Sequence, residues 1–473
     1  MAEPHVAILG GGPAGVGAAY RLRETGKARV TLLEQQPVVG GNAGSFEAGG
    51  QRLDYGSHRL HPACDPAILA DIRALLGADL LDRPRHGRIH LRGRFVHFPL
   101  QPLDLLLRLD PGFALGTGRD LARKAFRRSS PEGESFASVL LANLGPTICH
   151  EFYFPYARKI WGRSPDELSG IQARRRVSAG SFAKLVRKIV SAVPGFRPPG
   201  SGRFFYPRQG YGQISEAYAA AARARGAELW LGTRVTRLEP PGGPAGRWCV
   251  IGEQDGLPRS LEADFVWSTL PLPVLARAVA GVPEEVLQAA ARIRYRAMIL
   301  VYLDLAVDRF TEFDAHYFPD LGIRITRLSE PKRYADRREP VGRTTLCAEL
   351  PCDAEDETWR LDDAALGRLV AEDLARAGLP LPAPPLAAYT RRLRYAYPIY
   401  LRGYERHFAT LDAWAESLPH LLTYGRQGLF AHDNTHHALF MAYRAVDCLG
   451  PGGFDLDRWR QYREVFATHV VED

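Results

Sequence analysis

The chain has 473 residues, 46% of them hydrophobic and 24% charged, with 61 Lys and Arg against 53 Asp and Glu for a formal net charge of +8. That length and apolar content build a large core divided over two or three domains and exclude a disordered or low-complexity protein. Six scattered cysteines without a C-x-x-C pair exclude a disulfide framework and fit a reducing compartment, no apolar run approaches the ~20 residues of a membrane span, and the dispersed arginines give no support to nucleic-acid binding.

The first element is a short apolar run, Val6-Ala7-Ile8-Leu9, which reads as a buried strand. Beginning so near the N-terminus, it predicts no signal peptide and a cytoplasmic setting. "GGGPAG" follows, and then Ala14, Val16, Ala18, Ala19 and Leu22 repeat at helical spacing. Gly10, Gly12 and Gly15 occupy the positions of G-x-G-x-x-G: the first for a tight turn, the second leaving room for a pyrophosphate, the third letting helix pack on strand. The helix start, with Pro13 and Ala14, faces the phosphates with free N–H groups and a partial positive charge. A second β-like run, "ARVTLLE", ends at Glu34 ahead of Gln35, ~20 residues on, where an acid hydrogen-bonds a ribose hydroxyl.

Helical stretches follow near 65–80, 100–127, 134–160 and 180–190. "LQPLDLLLRLDPGFALGTGRDLARKAFRR" carries leucines ahead of a basic end, compatible with an interfacial membrane helix, though an internal cap helix is the plainer reading. "GQISEAYAAAARARGAELWLGTRVTRLE" gives a helix from Gly212 and a strand through Val235. The second "GGPAG", Gly242 to Gly246, follows Pro-Pro and precedes the strand "RWCVI", so it reads as a turn. A hairpin turning at Asp255-Gly256, the buried strand in "ADFVWSTLPLP" and a mixed stretch near 293–395 come next. "TYGRQGLFAHDNTHHALFMAYRAV" closes as strand, loop and helix. His432 and His436 would share a face if helical, but no third ligand is visible, so no metal is expected; Asp433, Asn434 and Thr435 instead read as the helix start. The predicted fold is α/β: one Rossmann-like dinucleotide-binding domain, discontinuous over 1–75, 203–292 and 396–473, with a helical insert or cap at 76–202 and a mixed α/β substrate-binding segment at 293–395.

The pattern "GGGPAG…LLEQQPVVGGNAGSF…LDYGSHRLH" with the late "GRQG…DNTHHALFMAYRAV" resembles the flavin amine oxidase and protoporphyrinogen oxidase superfamily. Within it the chain is most similar to UDP-galactopyranose mutases and uncharacterised oxidoreductase relatives. "GGNA", the K-x-W-G core of "FPYARKIWGRSPDELSGIQARRRV", "YPRQGYGQI" and "RYAYPIY" carry that likeness. The chain is longer than a typical bacterial mutase, however, and its closing segment is similar only in outline. The resemblance implies FAD as cofactor. Gly10, Gly12, Pro13, Ala14, Gly15, Glu34 and Gln35 would hold it, with Gly40, Gly41 and Asn42 beside it and the Val235 backbone at the adenine. Gly56, Ser57 and His58 would border the isoalloxazine ring, while Gly425 and Arg426 shape the last loop. Asp433, Asn434 and Thr435 would direct a helix dipole at the pyrimidine edge, favouring reduced flavin.

For catalysis the resemblance implies His58, His61 and Trp161 at the ring, against their reading as structural histidines and a core aromatic. Tyr156 would line the pocket. Arg174, Arg175, Arg176 and Arg296 would grip an anionic substrate, with Tyr206, Tyr211, Tyr397 and Tyr400 as further contacts; a solvated arginine face and core packing are the plainer alternatives. Three activities fit. The favoured one is an FAD-dependent oxidoreductase passing hydride from a substrate C–H to flavin N5, on a nucleotide-linked or otherwise anionic sugar. The second is a non-redox nucleotide-sugar mutase using reduced FAD as nucleophile, and the third a peripheral membrane flavoprotein acting on a lipid-linked substrate.

Overall fold

The computed structural model describes residues 3–98, 112–113, 115–116, 119–120, 134–176, 202–243 and 246–471. The stretch 180–190, and most of the leucine-rich 100–127 segment weighed as an interfacial helix, lie outside the described residues. Among the described residues no helix is long and apolar enough to cross a membrane.

The "VAIL" run forms β1 (His5–Leu9), and it is apolar throughout because both of its faces are covered. Val6 and Ile8 point into one core and Ala7 and Leu9 into another, as the two-residue period of a strand requires. α1 (Pro13–Glu24) returns the chain to β2 (Arg29–Glu34), which pairs parallel to β1. Three more strands extend this sheet: Glu228–Leu231 beside β2, Phe265–Ser268 beside β1, and Leu421–Thr423 at the far edge, all parallel. One five-stranded sheet thus draws on three widely separated parts of the chain.

On one face lie α1, the helix Gln213–Ala224 and the helix Thr435–Cys448. Gly17 lets α1 and Thr435–Cys448 approach closely, since a Cβ there would sit 2.7 Å from the Leu439 side chain. The opposite face carries an antiparallel three-stranded sheet (Thr233–Glu239, Trp248–Gln254, Leu257–Ala263) and the helices Leu272–Ala278, Glu284–Arg292 and Tyr404–Ser417. Its second hairpin turns at Asp255-Gly256, both with positive φ, where the sequence places it.

A seven-stranded, mostly antiparallel sheet forms the second layer, ordered Ala387–Ile399, Arg294–Leu305, Thr344–Cys352, Arg327–Ser329, Ala315–Tyr317, Gly87–Leu91, Arg94–Phe98. Its last two strands lie within 76–202, the span expected as a helical insert or cap, and show that this span is not helical throughout. The alternation of "GRIHLRGRFVHF" is a hairpin, with Arg92 and Gly93 at φ 53° and 73°, and it pairs with Ala315–Tyr317 to extend the seven-stranded sheet. Helices do follow, at Phe136–Leu144, Phe154–Trp161 and Gly170–Arg176.

Candidate functional site

The glycine turn after β1 separates three steric demands. Gly10 stands at φ +100°, and a Cβ there would fall 2.4 Å from Thr269 Oγ1. At Gly15 a Cβ would meet the Gly10 carbonyl oxygen at 1.9 Å, so only glycine lets α1 start against β1. Gly12 differs: its φ is −69°, open to any residue, and among the described residues a Cβ would have nothing within 4 Å. The protein itself does not require glycine there, so the space in front of Gly12 is room for a ligand. α1 has no side-chain cap and starts with Pro13, so first-turn N–H groups of Ala14 and Gly15 face that space without a capping acceptor.

Glu34, at the end of β2, reaches over the turn and is 7% exposed. Its carboxylate accepts the N–H of Gly11 at 2.7 Å and of Gln36 at 2.8 Å. Burial pushes its carboxyl pKa up, against those bonds. Gln35 is exposed beside it. The Gly40 N–H bonds the Gly11 carbonyl at 2.8 Å, and a Cβ on Gly41 would stand 3.3 Å from the Gly12 Cα. Val235 pairs with Gly252, after which the ladder shifts register at Thr236, freeing backbone polar groups beside it.

From the turn the site continues between the two sheets. His58 Nε2 lies 2.7 Å from the Asn42 carbonyl and 2.9 Å from that of Tyr55, which fixes the proton on Nε2. Burial and the nearby Arg327 lower its pKa. His58 therefore ties the "GGNA" turn to its own loop, where the resemblance implied a proton-transfer group. Its ring stacks on Tyr211 at 5.3 Å. Gly56, at φ +99°, brings the loop against Glu349, whose carboxylate accepts the Ser57 N–H at 3.0 Å and Arg327 Nε at 2.9 Å. Burial works against the Glu349 charge, but Arg327 outweighs it and the pKa falls. Asp54 accepts hydrogen bonds from Tyr206, Ser45 and the Tyr211 N–H. Tyr206 and Tyr211 are thus buried in a supporting network, Tyr211 also bonding Thr435.

The last loop closes the site from the other end of the chain. Gly425, at φ +78°, packs on Ala14, where a Cβ would lie 2.8 Å from that side chain. Arg426 donates to the carbonyls of Asp433 at 2.7 Å and Ala396 at 2.8 Å, its guanidinium over the Tyr397 ring. Asn434 caps Thr435–Cys448 in a capping box with His437. His432 precedes this helix, so it does not share a helical face with His436. It is fully buried among Trp161, Tyr397 and Tyr400, with Gln172 Nε2 at 2.7 Å from its Nε2.

Other expected contacts are placed differently. His61 accepts the Ala63 N–H at 3.0 Å and stacks toward His436 at 6.3 Å, on the helix side of the loop. Tyr156 stacks on Phe152. Arg174 is half exposed and paired with Glu134 at 2.5 Å. Arg175 bonds the Tyr400 hydroxyl at 3.2 Å, and Arg176 ends its helix. Arg296 is buried under Gly162 and paired with Asp353. Lys159, in the K-x-W-G core, donates to the carbonyls of Phe318, Asp320 and Ile325, and burial pushes its pKa down to about 7. Sequence reasoning missed Asp54, Gln172, Arg327, Glu349 and Tyr395, whose carbonyl receives both Asn42 and Gln427. Nothing local marks them; they are assembled by the sheet packing.

A parallel sheet with open space at its first glycine turn, an acid at the end of the second strand and a helix start at that turn marks a dinucleotide-dependent enzyme. Residues 13–443 match the family model of flavin containing amine oxidoreductases, and the chain belongs to that family, with FAD as its cofactor. A phytoene dehydrogenase of Streptomyces griseus is 28% identical over 319 residues, 59% of this chain and 57% of that protein, so the chain spans under two thirds of that relative. Reduced UDP-galactopyranose mutase superposes with a TM-score of 0.80 at 20% identity, over 94% of each chain. A protein of Exiguobacterium sp. 255-15, provisionally a protoporphyrinogen oxidase, gives 0.72 at 19% identity, over 94% of this chain and 98% of its own. These structures share the fold.

Proposed function

We propose that this protein is an FAD-dependent oxidoreductase that takes hydride from a substrate C–H group. When bound, FAD supplies the redox chemistry. The first-turn N–H groups of α1 would hold its diphosphate, and Glu34, kept in place by Gly11 and Gln36, would accept from the ribose. The start of Thr435–Cys448 would offer its positive end to the ring and so favour the reduced state. His58 ties its loop to the Asn42 carbonyl, and Trp161, Tyr397 and Tyr400 around His432 would keep water from the substrate.

One observation carries this reading against a mutase: Arg174 and Arg296 are already paired with Glu134 and Asp353. A diphosphate clamp needs guanidinium groups whose donors are open to phosphate oxygens. Arg175 donates to the Tyr400 hydroxyl, in a cavity it lines with Tyr400, Tyr404, Phe408 and Phe430. The mutase reading keeps one support, the full-length likeness to UDP-galactopyranose mutase. The test is anaerobic: oxidised enzyme is mixed with candidate alcohols, amines and polyenes, and dithionite-reduced enzyme with nucleotide sugars. Bleaching of the flavin by a substrate in the first arm is expected; sugar-ring isomerisation confined to the reduced arm would overturn the proposal.

A further inference from the structure

Three side chains converge at the start of the helix Thr435–Cys448. Asp433 precedes the cap residue, His437 lies in the first turn, and His469 follows the last helix, Leu456–Ala467. Asp433 Oδ1 is 3.4 Å from His437 Nδ1 and 3.3 Å from His469 Nδ1, and one ligand atom of each residue lies within 4.8 Å of the others. The two imidazole rings are stacked, 4.2 Å apart at 14°.

The protons do not balance in this cluster. His437 Nδ1 accepts the Asn434 N–H at 3.3 Å, so it presents a lone pair and has no proton for Asp433. Among the described residues, both carboxylate oxygens of Asp433, 1% exposed, and Nδ1 of His469 have no hydrogen-bond partner. A carboxylate so buried and unpaired is costly, and natural sites answer that cost with a counter-charge or a metal. A proton on His469 would answer one oxygen and leave the His437 lone pair facing a carboxylate. A cation between the three answers all of them.

We infer that Asp433, His437 and His469 form a binding site for a divalent transition metal of the zinc type, pinning the C-terminal end to the start of the helix Thr435–Cys448. The spacing suits the ion. Tetrahedral zinc with ligands at ~2.0–2.1 Å holds them ~3.3–3.4 Å apart, as the two Asp433 distances have them. The third edge, His437 to His469, closes as the stacked rings splay, and the weak capping bond of Asn434 is exchanged for ligation. Two imidazoles and one carboxylate leave a fourth position for water. The site is separate from the His432/His436 pair that spacing first suggests, and it stands whether or not the oxidoreductase reading holds.

The experiment uses the untagged, FAD-loaded chain, stripped with chelator and titrated with Zn²⁺ or Co²⁺. One equivalent of zinc is expected by elemental analysis, with visible Co²⁺ bands of a tetrahedral N/O site and a rise in melting temperature. His469→Gln should weaken zinc binding by more than about 100-fold, because even outer-shell partners of metal ligands carry roughly 10–100-fold. Asp433→Asn should do the same, and an unchanged far-UV circular dichroism spectrum shows that either variant has folded. No retained metal in the parent, or equal affinity in parent and His469→Gln, would overturn the inference.

Discussion

Gly12→Ala separates cofactor binding from folding. In the protein alone the substitution is nearly free, because φ is −69° and no atom lies within 4 Å of the new methyl. Alanine in place of glycine at a helix N-cap costs ~0.5–1 kcal/mol, and the stiffer unfolded chain returns ~0.4–1 kcal/mol. The apoprotein should therefore melt within about 4 °C of the parent. With FAD the same methyl occupies the approach of the diphosphate. A phosphate oxygen at hydrogen-bond distance, ~2.9 Å from a backbone nitrogen, must retreat to give a carbon its ~3.5 Å contact. One to two charge-assisted bonds of ~1.5–3 kcal/mol are lost, so FAD affinity should fall about 100-fold, from ~3 kcal/mol in all. The assay is fluorescence titration of deflavinated protein with FAD, alongside its calorimetric melt. Gly15→Ala is the control: its Cβ would lie 1.9 Å from the Gly10 carbonyl oxygen, so it should lose fold and binding together. If Gly12→Ala holds FAD as tightly as the parent, the space before Gly12 is not the diphosphate site and the argument fails.

Arg296→Ala should act on stability rather than on any anionic ligand: with Asp353 left to Arg163 alone at 3.2 Å and a buried gap under Gly162, urea denaturation should show a loss of about 2 kcal/mol. Nucleotide affinity that falls without a change in stability would restore Arg296 to the substrate site. Lys159→Met strips the donor from three carbonyls and should cost about 3 kcal/mol or more, read by the same denaturation; a neutral outcome would mean those carbonyls find other partners. His316 is buried and its pKa lowered to about 3, below the ordinary 6.5, so the unfolded chain binds its proton first. Stability from this group is complete above pH 6.5 and is lost as pH falls toward 3, with a slope approaching ~1.4 kcal/mol per pH unit. His316→Phe should flatten the acid side of the stability profile by that slope; an unaltered profile would show that His316 titrates normally.

The cofactor end was legible because its determinants are local. Strand, turn, helix and second strand lie within the first 34 residues, and each glycine answers to a neighbour a few positions away, apart from the contact of Gly10 with Thr269. The hairpin at Gly87–Phe98 was no less local, but its alternation lay in a span read for its helices, and only the pairing with Ala315–Tyr317 reveals which sheet it joins. The arginines offered for an anionic substrate show what spacing leaves out. Spacing sees an arginine but not the carboxylate that meets it, and Glu134, Asp353 and Asp314 come to Arg174, Arg296 and Arg59 across 40, 57 and 255 residues. A charge read from sequence is a charge before pairing.

The same distinction explains the histidines at the chain's end. Spacing offers His432 and His436 as a pair because it assumes the helix has already begun. The Asn434 cap decides otherwise: with the helix starting at Thr435, His432 turns into the aromatic wall, and Asp433 and His437 are left to face one another. Only tertiary packing then delivers His469 to them, from a helix whose sequence neighbourhood contains no other histidine. One capping residue thus divides the segment, turning His432 toward Trp161, Tyr397 and Tyr400 and the side chains of Asp433 and His437 toward His469. Asn434→Ala should loosen both, weakening zinc retention and blunting the helix dipole at the flavin, so that the cofactor becomes harder to reduce in a redox titration. Were only one of the two properties to change, the shared dependence on that cap would be refuted.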